Sequence, residues 1–171
     1  MRMRRLPRMS LCLAALVVTG CCSEEPAPAG SPPASVEAKI MPASGFRVEW
    51  GTPGVPCTMK AGSTVAVGVI VKNVSDQTWR EYASTERGKW AVRLGYRWWD
   101  SGNKTVVVDY TRFRGELRAP LPPGKSATLA VDVVAPPAPG EYLLQLDLVE
   151  ELVSWFEDRG APKVRVPVTV N

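Results

Sequence analysis

The sequence predicts an all-β protein, an antiparallel sandwich of two sheets built from seven or eight strands. Several short segments alternate apolar and polar residues with the period of two that is typical of half-buried strands. Pro and Gly, 16 and 14 of the 171 residues, mark the turns that separate these segments. No segment of useful length repeats its apolar residues with a helical period. Short strands with turns at this spacing are typical of two packed sheets.

Residues 1–20 predict a cleaved signal peptide. Four arginines among the first eight residues precede an apolar stretch, Leu11 to Val18, that is too short to span a bilayer. The next segment, Val18-Thr19-Gly20-Cys21, resembles the lipobox of bacterial lipoproteins. In that family the Cys thiol receives a diacylglyceryl group and the preceding peptide is removed. The resemblance implies a lipid anchor at Cys21; the alternative is an ordinary secretory signal with a chance Cys.

Removal of this peptide changes the charge balance. The full chain has 21 Lys and Arg against 17 Asp and Glu, and four of the arginines precede Cys21. The mature chain would therefore carry 17 of each and no net charge. A nucleic-acid-binding function is not expected of a neutral chain without a basic patch. The predicted location is the bacterial cell envelope, and Cys22, where Asp would favour retention in the inner membrane, favours the outer membrane.

Two regions follow the predicted cleavage site. Residues 21–44 comprise the lipidated Cys and a segment rich in Pro and Ala, which we expect to be a disordered tether. Residues 45–171 are enough for one domain, the predicted sandwich. In an oxidising compartment Cys22 and Cys57 could form a disulfide, or both could stay unpaired.

The clearest strand follows the Pro139-Gly140 turn. Its inward face is predicted to consist of Tyr142, Leu144, Leu146 and Leu148. The polar residues between them are predicted to face solvent: Glu141, Gln145 and Asp147. In a second strand, Trp90 to Asp100, the predicted inward residues are Val92, Leu94, Tyr96 and Trp98.

Several segments together resemble an immunoglobulin-like accessory domain that is found on bacterial cell-surface and glycan-assembly proteins. They are Val92 to Trp98, Leu121-Pro122-Pro123-Gly124, Ala135-Pro136, Pro139 to Leu148, and Trp155-Phe156 before Gly160. The resemblance covers roughly residues 65–170 and implies an immunoglobulin-like sandwich. It also implies a structural tyrosine corner at Tyr142, whose hydroxyl would bond to nearby backbone. It carries over no catalytic residue, because such domains are appended to unrelated partners.

The residue types present exclude most catalytic chemistry. Histidine is absent, which excludes Ser-His-Asp and Cys-His nucleophile systems, and no cofactor or phosphate-binding motif occurs. The remaining catalytic possibility is a glycan hydrolase that uses a pair of carboxylates. Its candidates are Asp147, Glu150 and Glu151, with Asp100 and Asp109 across the sandwich. We expect these to be solvated strand-end charges, so no catalytic residue is assigned.

No metal site is predicted either. Asp100, Asn103 and Asp109 could supply calcium ligands, but Asp and Asn are also ordinary turn residues. The cysteines, in the absence of histidine, have no zinc-site spacing.

Trp99 is the centre of the candidate binding surface. It follows Trp98 directly and so must lie on the outer face of its strand, beside Arg93 and Arg97. With Tyr110 these residues could stack on a sugar or anchor a protein partner. Alternatively, segment 110–114 could cover Trp99 through a cation–π contact.

These observations predict a membrane-anchored bacterial lipoprotein whose immunoglobulin-like domain binds or scaffolds an envelope protein or polysaccharide without catalysis. A structural subunit or spacer of an envelope complex is the first alternative, with binding through sheet edges. A carboxylate-dependent cell-wall glycan hydrolase is the second.

Overall fold

The computed structural model describes residues 40–102 and 113–171, and the backbone of residues 106–108. The strands are β1 Val48–Trp50, β2 Thr58–Met59, β3 Thr64–Asn73, β4 Val92–Asp100, β5 Val106–Val108, β6 Gly115–Glu116, β7 Ser126–Val134, β8 Gly140–Glu150, β9 Ser154–Trp155 and β10 Val164–Val170. Three short 3-10 helices accompany them: η1 Ala43–Gly45, η2 Glu86–Gly88 and η3 Glu157–Arg159. Within the described part of the chain, no helix has the length and apolar character needed to cross a bilayer.

The strands form two sheets, which confirms the predicted all-β, immunoglobulin-like sandwich. The small sheet has the order β1-β3-β7, and both of its pairs are antiparallel. The large sheet has the order β2-β10-β8-β4-β5, with β6 also paired to β4 and β9 to β8. One pair departs from the antiparallel expectation, since β2 runs parallel to β10.

The core lies between the two sheets, as the alternation of the sequence predicts. Its buried residues on the four longest strands are Val67, Val69 and Val71; Val92, Leu94, Tyr96 and Trp98; Leu129, Val131 and Val133; and Leu144, Leu146 and Leu148. β8 pairs with β4 along nine residues and with β10 along seven, so it is the central strand of the large sheet.

The folded domain begins earlier than residue 45. Met41 is buried in the core, and its backbone N–H donates to Oε1 of Glu150 at 2.8 Å. The Trp79 indole N–H donates to the carbonyl of Gly45 at 2.9 Å, which fixes the same segment. The last residues of the segment assigned to the tether therefore belong to the sandwich, because an apolar Met side chain is buried with the core.

Tyr142 makes the kind of contact that defines a tyrosine corner. Its hydroxyl donates to the carbonyl of Ala138, four residues upstream, at 2.9 Å. Its ring packs edge-to-face on Trp98, with the centroids 6.1 Å apart. This contact joins the turn before β8 to the core.

Leu146→Ala tests the importance of the face that β8 turns toward the core. Leu146 is fully buried, and its truncation should lower the free energy of unfolding by about 2–5 kcal/mol. Ile70→Ala is the control, because Ile70 is 54% exposed and its loss should cost less than about 1 kcal/mol. Denaturant unfolding of both variants measures the difference; equal losses would contradict the core described above.

Candidate functional site

The candidate binding residues of β4 lie on the outer face of the large sheet. In the register of the sheet Arg97 is opposite Gln145 of β8, and Gln145 is opposite Arg165 of β10. Together with residues from β9 and the segment before β6, they form a layer that we call the arginine–aromatic face. Its members are Arg93, Arg97, Trp99, Arg114, Trp155 and Arg165.

Trp155 is the central ring of this face. The guanidinium carbon of Arg97 lies 4.1 Å from its ring centroid, and that of Arg114 lies 5.0 Å away. The ring lies over Gly95, where an added Cβ atom would be 2.6 Å from Cη2 of Trp155. Gly95 is therefore required in the middle of β4, because only a residue without a side chain leaves room for this indole.

Trp99 is half-buried and already has a cationic neighbour. The guanidinium carbon of Arg165 lies 4.5 Å from its ring centroid. Two nitrogens of Arg165 donate to Oε1 of Gln145, at 2.8 and 2.7 Å, and hold the guanidinium in place. This cation comes from β10. Of segment 110–114, which the sequence offered as a cover for Trp99, residues 110–112 lie outside the described residues, Tyr110 among them.

Arg93 and Arg114 converge on Glu151. Nη1 of Arg93 lies 3.3 Å and Nε of Arg114 2.9 Å from the same carboxylate oxygen. Arg93 also pairs with Glu116 of β6 at 2.9 Å and lies over the ring of Tyr82, 5.0 Å from its centroid. Arg93 therefore links β4, β6 and the end of β8.

Gln145 and Asp147 are buried, and the prediction that they face solvent is wrong. The chain turns back after β8, pairs β9 with β8, and places η3 over the outer face of the sheet. The Asp147 carboxylate accepts the N–H of Leu148 at 2.8 Å and that of Glu157 at 3.2 Å. Gln145 donates to Glu157, which also pairs with Lys163. Both polar side chains are thus satisfied by structural contacts, as buried polar groups require.

Burial raises the pKa of Asp147 to about 7. The N–H of Leu148 and the positive charge of Arg97 act in the opposite direction, and the negative charge of Asp158 adds to the increase. Burial also raises the pKa of Glu150, against the effect of the Met41 N–H. The expectation that Glu150 is a solvated strand-end charge is wrong, because its side chain points between the sheets toward Met41.

The carboxylates proposed for hydrolysis do not form an open pair. Asp147 and Glu150 lie on opposite faces of β8, and Glu151 is engaged by two arginines. Asp109 and Asn103 lie outside the described residues. Within the described ranges no group of three Cys, Asp or Glu side chains is placed to hold a metal ion.

Cys21, the proposed lipid anchor, and its neighbour Cys22 lie outside the described residues. Cys57, the proposed disulfide partner of Cys22, is exposed beside the start of β2. Sequence reasoning missed the contacts that Trp155 makes over β4 and that Glu157 and Arg165 make over β8. The signal that could have found them is Gly95, since a glycine within a strand marks a place where another group approaches closely.

No family model and no curated protein matches this chain. Solved structures with a similar fold include the CARDB domain of PF1109 from Pyrococcus furiosus, 15% identical over 72% of this chain and 92% of that one, with a TM-score of 0.41. A β-glucosidase from Listeria innocua is 14% identical over 73% of this chain and 16% of its own, with a TM-score of 0.41. The alpha-2-macroglobulin of E. coli is 20% identical over 72% and 6%, with a TM-score of 0.37. These similarities concern the fold alone.

Gly95→Ala tests the packing of Trp155 on Gly95. The new methyl group would displace the indole and loosen its contacts with Arg97 and Arg114, so we expect a loss of about 1–3 kcal/mol in the free energy of unfolding. Gly68→Ala in β3 is the matched control, because its Cβ would meet nothing closer than 3.9 Å and should be neutral or slightly stabilising. Chemical denaturation followed by Trp fluorescence measures both; a neutral Gly95→Ala would contradict the close packing of Trp155.

The raised pKa of Asp147 predicts a pH-dependent stability. The unfolded carboxyl titrates near 3.8 and the folded one near 7, so between these values the folded state binds an extra proton. The free energy of unfolding should therefore fall as the pH rises through this window, by at most about 1.4 kcal/mol per pH unit, and this contribution should be constant above it. Asp147→Asn should flatten the profile.

Urea unfolding between pH 4 and pH 8 checks this profile. Asp132→Asn, on the exposed face of β7, controls for the loss of one negative charge and should leave the slope in place. An unchanged slope in Asp147→Asn would show that the pH dependence arises elsewhere.

Proposed function

We propose that this chain is a lipid-anchored protein of the bacterial cell envelope whose sandwich acts by non-covalent binding of another envelope protein. The anchor is the thiol of Cys21, in the sequence that resembles a lipobox. The sandwich would be held by acyl chains and would act on its partner by contact, without catalysis.

The proposal that the sandwich acts without catalysis rests on the contacts that its candidate carboxylates already make. Asp147 binds the backbone of η3, Glu150 binds the backbone of Met41, and Glu151 bridges Arg93 and Arg114. A glycosidase needs two carboxyl groups that face a common substrate. Here the two buried ones face opposite sides of β8 and support local structure.

A protein partner is favoured over a polysaccharide by the state of Trp99. Sugar recognition by stacking needs an accessible ring face, and Trp99 already carries the Arg165 guanidinium at 4.5 Å. Release of Arg165 would break its two hydrogen bonds with Gln145, which is itself buried. A sugar would have to offset that loss before gaining any affinity.

A structural subunit of an envelope complex is the second candidate. The observation that favours it is the position of β7 at an edge of the small sheet, because sheet edges bind other chains through their backbone.

Cys21→Ser tests the anchor. In cells given an alkyne-tagged fatty acid, the native chain should become labelled, whereas Cys21→Ser should lose the label. Cys57→Ser is the matched control and should be labelled normally, because Cys57 lies in the sandwich. Equal labelling of native chain and Cys21→Ser would contradict the proposed anchor.

A direct assay tests the absence of catalysis. The native chain should release no soluble fragments from isolated cell-wall glycan. Turnover that disappears in Glu151→Gln would overturn the binding function and support the hydrolase.

A further inference from the structure

β7 is an edge strand of the small sheet, and half of its backbone groups point away from the sheet. The N–H of Ala135 donates to the carbonyl of Ser63 at 2.8 Å, and the N–H of Asn73 donates to the carbonyl of Lys125 at 2.9 Å. In this register the odd-numbered residues of β7 therefore form the backbone hydrogen bonds with β3. Because the direction of backbone groups alternates along a strand, the even-numbered residues of β7 direct their N–H and C=O groups to the free edge.

One end of this edge is covered by residues of the large sheet. The N–H of Val134 donates to the Tyr96 hydroxyl at 2.9 Å, and the Trp98 indole N–H donates to the carbonyl of Val134 at 2.8 Å. Gly115 lies against Ala130, whose carbonyl carbon would be 2.9 Å from a Cβ atom added at Gly115. The edge is therefore closed from Ala130 to Val134.

The other end of the edge opens into a groove of about 650 Å³. One wall is formed by the chain from Glu116 to Leu121 and the other by β7, with Ser126 and Thr128 on the open part of the edge. Within the described ranges, the backbone hydrogen bonds include none to the outward groups of these two residues. The lining is mostly small and uncharged, with Glu116 and Arg118 as its charged members.

We propose that this groove binds an extended peptide segment of a partner protein, which pairs with β7 as an additional strand. The proposal rests on the proposed binding function and names the surface that carries it. An extended chain fits because its backbone groups recur about every 6.8 Å on one side, which is the spacing of Ser126 and Thr128 along β7. Recognition would come from the main chain, as in other cases of strand addition.

The composition of the groove defines the kind of segment that it accepts. Ala119 and Ala127 leave room for the side chains of the bound strand, and the lining provides few charged partners. An uncharged segment of β-branched and small residues matches this lining and also has the highest tendency to stay extended. Proline in that segment would prevent binding wherever its N–H is needed.

Thr128→Pro is the decisive variant, because it removes one outward N–H and leaves the ladder with β3 in place. Proline is tolerated in an edge strand when its missing N–H faces away from the sheet. Thr128→Val is the matched control, since it changes the side chain and keeps the N–H. A melting curve for each variant checks that the sandwich still folds.

The probe is a phage-displayed heptapeptide library, selected on the full-length chain in detergent. The best clone, made as a capped peptide, should bind the native chain and Thr128→Val equally. Thr128→Pro should weaken its affinity by about tenfold, the effect of one lost backbone hydrogen bond. Methylation of the peptide's alternate backbone nitrogens should abolish binding to the native chain, a result that does not depend on the folding of any variant.

Three outcomes would overturn the groove as a peptide site. They are a selection that enriches no clone, a clone that binds folded Thr128→Pro as well as the native chain, or a chain that is dimeric and becomes monomeric in Thr128→Pro. The last would make a second copy the occupant of the edge. None of these affects fatty-acid labelling at Cys21, so failure of the groove is distinguishable from failure of the anchor.

Discussion

The burial of two polar side chains on the outer face of β8 is the constraint on which the large sheet depends. Gln145 and Asp147 are removed from water, so each needs partners, and an unpaired buried polar group would cost several kcal/mol. Glu157 of η3 supplies contacts to both, and Arg165 supplies the rest for Gln145. β8 can therefore be the centre of the sheet only if the chain after it folds back over it.

The return of the chain over β8 also determines how the side chains of the arginine–aromatic face pack. β9 places Trp155 over Gly95, and Arg97 and Arg114 then stack on its ring. Much of the surface that looked available for binding is thus occupied by the protein's own side chains. The part of the β7 edge at Ser126 and Thr128, on the small sheet, is therefore the surface that we propose for an external partner.

Alternation along the chain was sufficient to predict the core faces of β4 and β8, because a period of two fixes which residues share a side. It placed Tyr96 and Trp98 inside and Trp99 outside, as found. Alternation does not show whether the outer face of a strand meets solvent or is covered by another segment. For this reason the prediction that Asp147 faces solvent was wrong. The segment that covers it, 150–160, has no clear period of its own. The edge position of β7 and its closure at Val134 were equally hidden, since they follow from strand order and from the reach of Tyr96 and Trp98 across the sandwich.

Affinity purification of the lipidated full-length chain from detergent-solubilised envelope tests the central claim, that the chain acts by binding another protein. The preparation would be analysed for co-purifying protein and, in parallel, applied to a glycan array. One protein recovered in stoichiometric amount, with no bound glycan, is the result that the account predicts. Glycan binding without any protein partner would contradict it and would return Trp99 and its neighbouring arginines to the centre of the binding surface.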